Sequence, residues 1–407
     1  MTAVAAFTYP WDILGDPAAP ARLRGLGADT AVLAAAYHST TAITPRHPAH
    51  RVVHAPHSAV YYPPDPSRWG SAALQPAPQS WCDHPDAYGE SARQLRDAGL
   101  DVHAWVVLAH NSRLARAFPE RAVRNAYGDS LSWALCIAQP AVVAYAATLA
   151  AEAAGRPGTS GVELESAGWY GHAHLHAHDK TSGIGSSEAA RYLLSLCFCH
   201  ACHKGYARWG ADPGQLRAAV RDTLEPLWRG ESDEPGEVRD GNGWAAVRAV
   251  LGIEQANATL RHRIAAAREF QGEVIAAVRA EAAPGFRIVL HADPLPYATG
   301  ANPGVIIEEA LAVADGIVVP AAAVPAALAS HDGPLPPGAV VAANHQIVAR
   351  MGGDPDFTPP PGATEIRLYH PGLASGQDLR AAAGSVARYL ASREHREHDT
   401  VTERNSG

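Results

Sequence analysis

Short runs of apolar and β-branched residues recur eight times along the chain, separated by longer stretches rich in Ala, Arg and Leu. Short apolar runs are typical of buried strands, and the longer stretches are typical of helices. Strands that alternate with helices indicate a parallel sheet with crossover helices. The predicted strands are 3–8, 31–37, 102–108, 161–165, 286–291, 315–319, 339–343 and 364–369. Eight such units predict an α/β fold, a (β/α)8 TIM barrel.

Two segments are much longer than a crossover helix requires. Residues 39–90 follow the second strand and are rich in Pro, His, Ser and Tyr. Residues 166–285 follow the fourth strand and contain a His-rich loop, a cysteine cluster and helix-like sequence. The last residues, 391–407, have no apolar periodicity, so we expect a disordered tail. The sequence therefore predicts one barrel domain over 1–390 with these two insertions.

Composition and charge narrow the class of protein. The 407 residues are 47% hydrophobic and 18% charged, as in folded globular proteins. The formal net charge is −8, and the Arg residues are scattered among Asp and Glu, which argues against a nucleic-acid partner. No window approaches the roughly 18 uninterrupted apolar residues of a membrane span, and the first residues lack the features of a secretory signal. We expect a cytoplasmic protein with a small-molecule substrate, and a homo-oligomer remains open.

Three of the five cysteines fall within six positions, in the segment "CFCHAC" at 197–202. In a reducing compartment, such a cluster is more typical of a metal site than of disulfides. Thiolates favour tetrahedral Zn²⁺, and a tight turn can present three sulfurs to one ion. A closed site needs a fourth ligand, for which Cys82, Cys136, His200 and His203 are candidates. The alternative is that these cysteines are small buried core residues.

The order of three segments resembles family-42 β-galactosidases and related glycoside-hydrolase-like barrels. These segments are "NAYGDSLSWALCIAQPAVVAY", "GVELESAGWYGH" and "CFCHAC". The resemblance implies that Cys136, Cys197, Cys199 and Cys202 hold a structural zinc ion and that Cys82 is not a ligand. A site closed by four thiolates leaves no position for substrate, so this metal would stabilise the fold and take no part in catalysis.

Polar and aromatic residues stand at the ends of most predicted strands. In a (β/α)8 barrel the active site lies at the C-terminal ends of the strands, so we expect these side chains to form a polar bowl rimmed by aromatic rings. They are Trp11, Asp12, His38, His110, Asn111, Glu163, Glu165, His291, Asp293, Asn344, His345, Tyr369 and His370.

Glu163 and Glu165 alternate on the fourth strand, so their side chains share one face, which we predict to be the barrel mouth. Glycosidic cleavage uses paired carboxylates, one to protonate the leaving oxygen and one to act as nucleophile or to activate water. Asp293, in "VLHADPLPY", is a candidate for the second carboxylate or for binding sugar hydroxyls. The alternative for a strand-four glutamate is that it faces a helix and pairs with an arginine.

The family resemblance also bears on these carboxylates. It implies that Glu165 takes the position of the acid/base glutamate and Glu163 that of the acidic residue two before it. The family's nucleophile is a glutamate at the end of strand seven, where this sequence reads "GAVVAANHQIV", with Asn344 and His345 and no carboxylate. This departure puts a retaining mechanism in doubt, and Asp293 could work across a wider gap in an inverting one.

The segment "GWYGHAHLHAHDK" directly follows strand four and should overhang the barrel mouth. We predict that Trp169 and Tyr170 stack on a sugar ring while histidines bond its hydroxyls or assist proton transfer. Alternate histidines in an extended chain share one face, so they could also bind a metal, or the loop could simply be solvated. The histidines are His172, His174, His176 and His178.

Three functions follow from these patterns. The first is a glycoside hydrolase that acts on a small glycoside or oligosaccharide and holds a structural zinc ion. The second is a metal-dependent hydrolase or isomerase in which His38, His110, His291 and His345 bind a catalytic metal. The first strand ends in "FTYPWD" and lacks the His-x-His typical of such barrels. The third is a carbohydrate-binding pseudoenzyme, which the missing strand-seven glutamate permits.

Overall fold

Parallel strands form a closed barrel in the computed structural model, which describes residues 4–172, 174, 180–181, 183, 187–231, 243–300 and 302–405. The barrel strands are β1 (Val4–Thr8), β2 (Thr30–Tyr37), β3 (Asp101–Val107), β4 (Gly161–Glu165), β5 (Arg287–His291), β6 (Gly316–Pro320), β7 (Val340–Gln346) and β8 (Glu365–Tyr369). Each strand pairs in parallel with the next, and β8 pairs with β1 to close the sheet. The predicted (β/α)8 barrel is therefore confirmed, with all eight strands within three residues of their predicted bounds.

The barrel strands are covered on both faces. Every residue of β1, β2 and β4 is buried. Helices cover the outside of a parallel sheet while side chains fill the inside, which explains why these strands read as continuous apolar runs. Gly161 begins β4 because a Cβ at this position would lie 2.6 Å from the imidazole of His103 on β3.

Helices occupy most of the chain between the strands. They are α1 (Pro10–Ile13), α2 (Ala19–Gly25), α3 (Pro66–Trp69), α4 (Ala87–Asp97), α5 (Ser112–Ala117), α6 (Pro140–Ala154), α7 (Glu188–Leu194), α8 (His200–Arg208), α9 (Pro213–Trp228), α10 (Gly243–Leu251), α11 (Ile253–Glu281), α12 (Ile307–Val313), α13 (Val324–Ala329) and α14 (Gly376–Asn405). Short 3₁₀ turns lie at Ala321–Ala323 and Ala349–Met351.

The long segments between barrel strands have structure of their own. Between β2 and β3, strands Thr40–Ile43 and Val52–Ala55 form an antiparallel hairpin, and Ala59–Val60 pairs antiparallel with β2. Between β3 and β4, Ala122–Arg124 pairs with Ser130–Leu135. Helices α7 to α11 lie between β4 and β5, and the long helix α11 packs on α6. These segments surround the C-terminal ends of the barrel strands.

The last helix, α14, continues to Asn405, and so extends into the range 391–407 that the sequence suggests as a tail. None of the helices in the described ranges is both long and apolar enough to cross a bilayer.

Candidate active site and metal centre

Glu165 is the last residue of β4 and lies at the C-terminal end of the barrel. Its side chain is buried, with a relative exposure of 5%. The indole Nε1 of Trp105 on β3 donates a hydrogen bond of 2.8 Å to Glu165 Oε2. Burial raises the pKa of Glu165, and the proximity of His291 and the Trp105 bond oppose this shift only in part. A carboxyl group that keeps its proton to higher pH is suited to donate it.

Aromatic rings surround the Trp105 indole at this end of the barrel. Tyr37 lies 4.6 Å from it, Phe7 4.7 Å and Tyr369 5.8 Å, measured between ring centroids. The hydroxyl of Tyr9 donates to that of Tyr37 over 3.0 Å. Phe7 and Trp105 are fully buried and Tyr37 nearly so, whereas Tyr369 is partly exposed, so Tyr369 is the ring of this group that can stack against a sugar.

Histidines form a second side of the mouth. The rings of His38 and His110 are 4.6 Å apart, and Tyr170 stacks on His110 at 4.7 Å with its hydroxyl 3.2 Å from His110 Nδ1. His174 lies 5.2 Å from His110. Burial lowers the pKa of His38 to about 4 and that of His370 to about 3. Both imidazoles are therefore neutral at pH 7 and can donate and accept hydrogen bonds.

The backbone is strained directly after two barrel strands. Ser166 follows Glu165 with φ of 55°, and His370 follows Tyr369 with φ of 65°. In the described ranges these are the only residues other than glycine with positive φ. Such conformations cost about 1–3 kcal/mol each and cluster at active sites, where the surrounding structure maintains them. Both strained residues lie at the C-terminal end of the barrel, next to Glu165 and Tyr369.

Glu163 lies deeper in the barrel than Glu165 and is fully buried. Arg367 on β8 donates from Nε to Glu163 Oε1 over 2.8 Å. Although burial raises the pKa of Glu163, Arg367 and two neighbouring histidines outweigh it and hold that pKa well below the usual value. Glu163 is therefore an ionised member of an internal ion pair, a poor state for a proton donor.

Two further predicted residues share this deeper layer. His291 Nε2 lies 3.5 Å from Glu163 Oε2. Asn344 is the register partner of Arg367, and its buried Oδ1 has no hydrogen-bond partner in the part of the chain that the structure describes. Asn344 occupies the β7 position that lacks a carboxylate. Like His291, it lies next to the internal Glu163–Arg367 ion pair.

Three predicted substrate contacts are instead occupied by packing. Asn111 caps helix α5 through Oδ1, and its amide nitrogen donates to a tyrosine hydroxyl. Trp169 is buried, and its indole Nε1 donates to the carbonyl of Arg263 over 2.9 Å. His345 stacks on Phe357 at 3.8 Å, on the opposite face of β7 from Asn344. In the part of the chain that the structure describes, all three side chains are engaged with other protein groups.

Trp11 and Asp12 lie beyond Tyr9 and not among the rings around Trp105. Trp11 stacks on Tyr9 at 4.4 Å and faces a cavity of about 370 Å³ that Cys82 also lines. Asp12 accepts a hydrogen bond of 3.1 Å from the Tyr9 backbone, and burial raises its pKa to about 6. Asp12 therefore fixes the turn after β1.

Asp293 and the His-rich loop complete the predicted set. Asp293 follows β5 and is half-buried, with Oδ1 accepting from the backbone of Leu295 over 2.9 Å. Burial raises its pKa, and so does nearby Glu188. The backbone of His172 donates to Ser195 Oγ. His176 and His178 lie outside the described residues.

Sequence reasoning missed Trp105, Tyr9, Tyr37 and Arg367. Trp105 and Arg367 alternate with apolar neighbours inside barrel strands, and this alternation alone does not tell which face is inward. Tyr9 and Tyr37 stand at strand ends, where the signal used for the other candidates applied equally.

The four cysteines of the predicted metal site come together. Cys136 lies in the loop before α6, Cys197 and Cys199 precede α8, and Cys202 lies in α8; their sulfurs are all within 4.8 Å of one another. Cys136 Sγ is 3.7 Å from Cys199 Sγ and 3.6 Å from Cys202 Sγ. Cys82 lies outside this group.

These sulfur spacings fit a tetrahedral metal ion. Sulfurs around Zn²⁺ with bonds of about 2.3 Å are about 3.8 Å apart, close to the observed values and far from the roughly 2 Å of a disulfide. The backbone N–H of Arg124 also reaches Cys197 Sγ at 3.4 Å, a contact that stabilises thiolate charge. The cluster can therefore hold one ion of the soft, tetrahedral class.

Comparison with known proteins gives a likeness in fold. No family model and no curated protein sequence matches this chain. The PgaB (BpsB) glycoside hydrolase domain from Bordetella bronchiseptica has a TM-score of 0.53 and 14% identity, covering 95% of this chain and 98% of that one. The α-L-fucosidase isoenzyme 2 from Paenibacillus thiaminolyticus has a TM-score of 0.49 and 12% identity, covering 97% and 50%.

A β-galactosidase from the psychrophilic Marinomonas ef1 has a TM-score of 0.39 and 11% identity; the match covers 78% of this chain, which spans 40% of that enzyme. At 14% identity the likeness to the PgaB domain concerns the fold alone. The chain therefore has the (β/α)8 barrel fold, and it is similar in fold to the PgaB (BpsB) glycoside hydrolase domain over nearly the whole of both chains.

Proposed function

We propose that this protein is a glycoside hydrolase that cleaves a small glycoside or oligosaccharide, with Glu165 as the proton donor. The observation that carries the proposal is the placement of a buried carboxyl group at the C-terminal end of β4, held by Trp105 and with its pKa raised. An acid in this state can protonate a glycosidic oxygen as the bond breaks.

The surrounding side chains support a carbohydrate substrate. The partly exposed ring of Tyr369 offers a stacking surface, and the partly exposed, neutral imidazole of His38 offers hydrogen bonds to hydroxyl groups. Sugars are bound by this combination of aromatic faces and directional polar groups.

The direct test is a screen of aryl glycosides and natural disaccharides, with the anomer of the first-formed product determined by NMR. Release of a sugar with one defined anomer would support the proposal and would distinguish retention from inversion. Sugar binding without turnover on any substrate would favour the pseudoenzyme.

Asp293 is our proposed second carboxylate, because it follows β5 at the same end of the barrel and is half-buried. We expect Asp293→Asn to lower kcat by about 10²-fold or more while the protein stays folded. The amide could no longer act as the base that activates the attacking water. Steady-state kinetics with the best substrate of the screen measure this. Asp356→Asn, an exposed surface change, is the control. A silent Asp293→Asn would remove the paired-carboxylate mechanism.

Trp105→Phe tests the environment of Glu165. The indole N–H stabilises the ionised carboxylate, so its loss should raise the pKa of Glu165. A general acid works only while protonated, so activity falls as pH rises through this pKa, and the variant's descending limb should move to higher pH. The pH profile of kcat/KM measures the shift, with Trp228→Phe as an exposed control. A limb that stays in place or moves to lower pH would contradict the assignment.

Specific observations bear on the two alternative functions. The β7 position without a carboxylate, occupied by Asn344, favours a carbohydrate-binding pseudoenzyme. A catalytic metal held by histidines has less support, because within the described residues the cysteine cluster is the only converging group of metal ligands.

We further propose that the cysteine cluster holds a structural Zn²⁺ ion. The four thiolates would join the loop before α6 to the start of α8, and the ion would supply folding stability without contacting substrate. None of the five cysteines, all of which are among the described residues, forms a disulfide, and the cytoplasmic location stays a prediction.

A further inference from the structure

Arg263 on α11 is a charged side chain buried in the protein interior. Its relative exposure is 2%, and its guanidinium lies over the rings of Trp169 and Tyr192 at 5.1 and 5.2 Å. In the described ranges its Nε has no hydrogen-bond partner, and the main groups that oppose the effect of burial on its pKa are tyrosines and cysteines, not carboxylates. Cation–π contacts contribute about 0.5–2 kcal/mol, less than the cost of burying an unpaired charge. A negative charge near Arg263 would therefore stabilise the buried guanidinium.

Helix α11 packs directly on α8, the helix that carries Cys202. At Gly205 of α8, any Cβ would overlap the imidazole of His262, so the glycine allows the two helices to approach closely. The ring of Tyr206 lies 4.9 Å from His262, and its hydroxyl donates to the Cys197 carbonyl over 3.0 Å. His262, the residue next to Arg263, thus contacts the helix that carries Cys202, and Tyr206 connects that helix to Cys197.

Helix α8, which carries Cys202, packs on the helix that carries Arg263, and two cysteines affect the pKa of Arg263. Burial lowers the pKa of Arg263, and this shift is opposed by two tyrosines and then by Cys202 and Cys197. Burial and then Arg263 itself lower the pKa of His262 to about 4, while Cys199 acts in the opposite direction. Lys204, on α8, is exposed and interacts with solvent.

A divalent ion with four thiolates carries a formal charge of about −2. Such a centre is costly in an apolar interior unless a cation lies near it, and the unpaired guanidinium has the complementary need. We propose that Arg263 is the counter-charge of the four-cysteine metal centre, a positioning residue that strengthens metal binding without being a ligand. This inference rests on the proposed metal centre and is independent of the proposed glycosidase activity.

Arg263→Met tests the inference, because it keeps most of the side chain's volume and removes its charge. We expect the variant to bind Zn²⁺ about 10–100-fold more weakly, the range found when partners of metal ligands are removed. The metal-free form should be no less stable than the metal-free wild type, since a buried unpaired charge is gone. Competition with a chromogenic chelator measures affinity, and thermal melting before and after chelation measures both forms.

Arg263→Lys and Lys204→Gln are the matched variants. The lysine keeps the charge and should keep Zn²⁺ affinity within about threefold, and the loss of the exposed Lys204 charge should have no effect. If Arg263→Met does not fold, Arg263→Lys decides, and a tenfold loss of affinity would assign the role to ring stacking. Unchanged affinity in a folded Arg263→Met would overturn the inference. Wild-type protein that takes up no Zn²⁺ would remove the metal centre itself.

Discussion

Replacing Glu165 with glutamine is expected to lower kcat about 10²–10⁴-fold on a glycoside with a poor leaving group, the contribution of a general acid. The amide keeps the shape of the side chain, and its carbonyl oxygen can still accept the Trp105 hydrogen bond, so the protein should stay folded. An activated aryl leaving group needs less protonation, and the loss with it should be smaller. Steady-state kinetics with both substrate types, beside melting curves, measure the effect.

The matched control is Glu225→Gln, which removes an exposed carboxylate from an ion pair on α9 and should leave turnover unchanged. Wild-type turnover of Glu165→Gln on both substrate types would exclude Glu165 as the acid. An equal loss on both would indicate a role in binding or folding and not in protonating the leaving group.

Replacing Cys199 with serine is expected to release the metal and lower the stability of the protein. The wild type should bind about one Zn²⁺ per chain and the variant close to none, because serine is a poor ligand for this ion. A ligand present at about a thousand times its Kd stabilises the folded state by about 4 kcal/mol, and we expect the variant to lose at least that. Metal analysis and thermal melting measure the two changes.

Cys82→Ser is the control for this prediction, since Cys82 lies outside the four-cysteine group. It should keep its zinc, and a chelator should lower its melting temperature as it does in the wild type but should have little effect on Cys199→Ser. Full zinc content in a stable Cys199→Ser protein would refute the metal centre. Zinc loss in Cys82→Ser would instead identify Cys82 as a ligand.

The barrel could be predicted because burial on both faces forces each strand to be a continuous apolar run, as in the "TAVLAAAY" of β2. The hairpin Thr40–Ile43 and Val52–Ala55 could not be predicted in this way, because its strands are short and buried residues alternate in them with exposed ones. The predicted end of a strand was least accurate where the strand ends in polar residues. For β7 the prediction stops at 343, whereas the strand continues through Asn344 to Gln346.

Site residues could be predicted where the position on a strand determines the role of the side chain. They could not be predicted where the role depends on packing against a distant part of the chain. Glu165 stands at the end of β4 in sequence and in structure. Trp169 has the same local signal, but its indole bonds to a helix 94 positions away, which no local pattern reveals. Asn111 directly precedes a helix, where asparagine is a common N-cap, so the local sequence contained a signal for the capping role that it has in the structure.

The Glu163–Arg367 pair joins strands that are 204 positions apart in the chain. Arg367 also pairs with Glu365 on its own strand, but Glu163 meets Arg367 only when β4 and β8 are both in place. Breaking a buried ion pair costs about 3–5 kcal/mol. Folding intermediates that contain only the first half of the barrel would carry Glu163 without its partner. The barrel should therefore fold with high cooperativity and at a rate limited by its long-range contacts, and its halves should not be independent folding units.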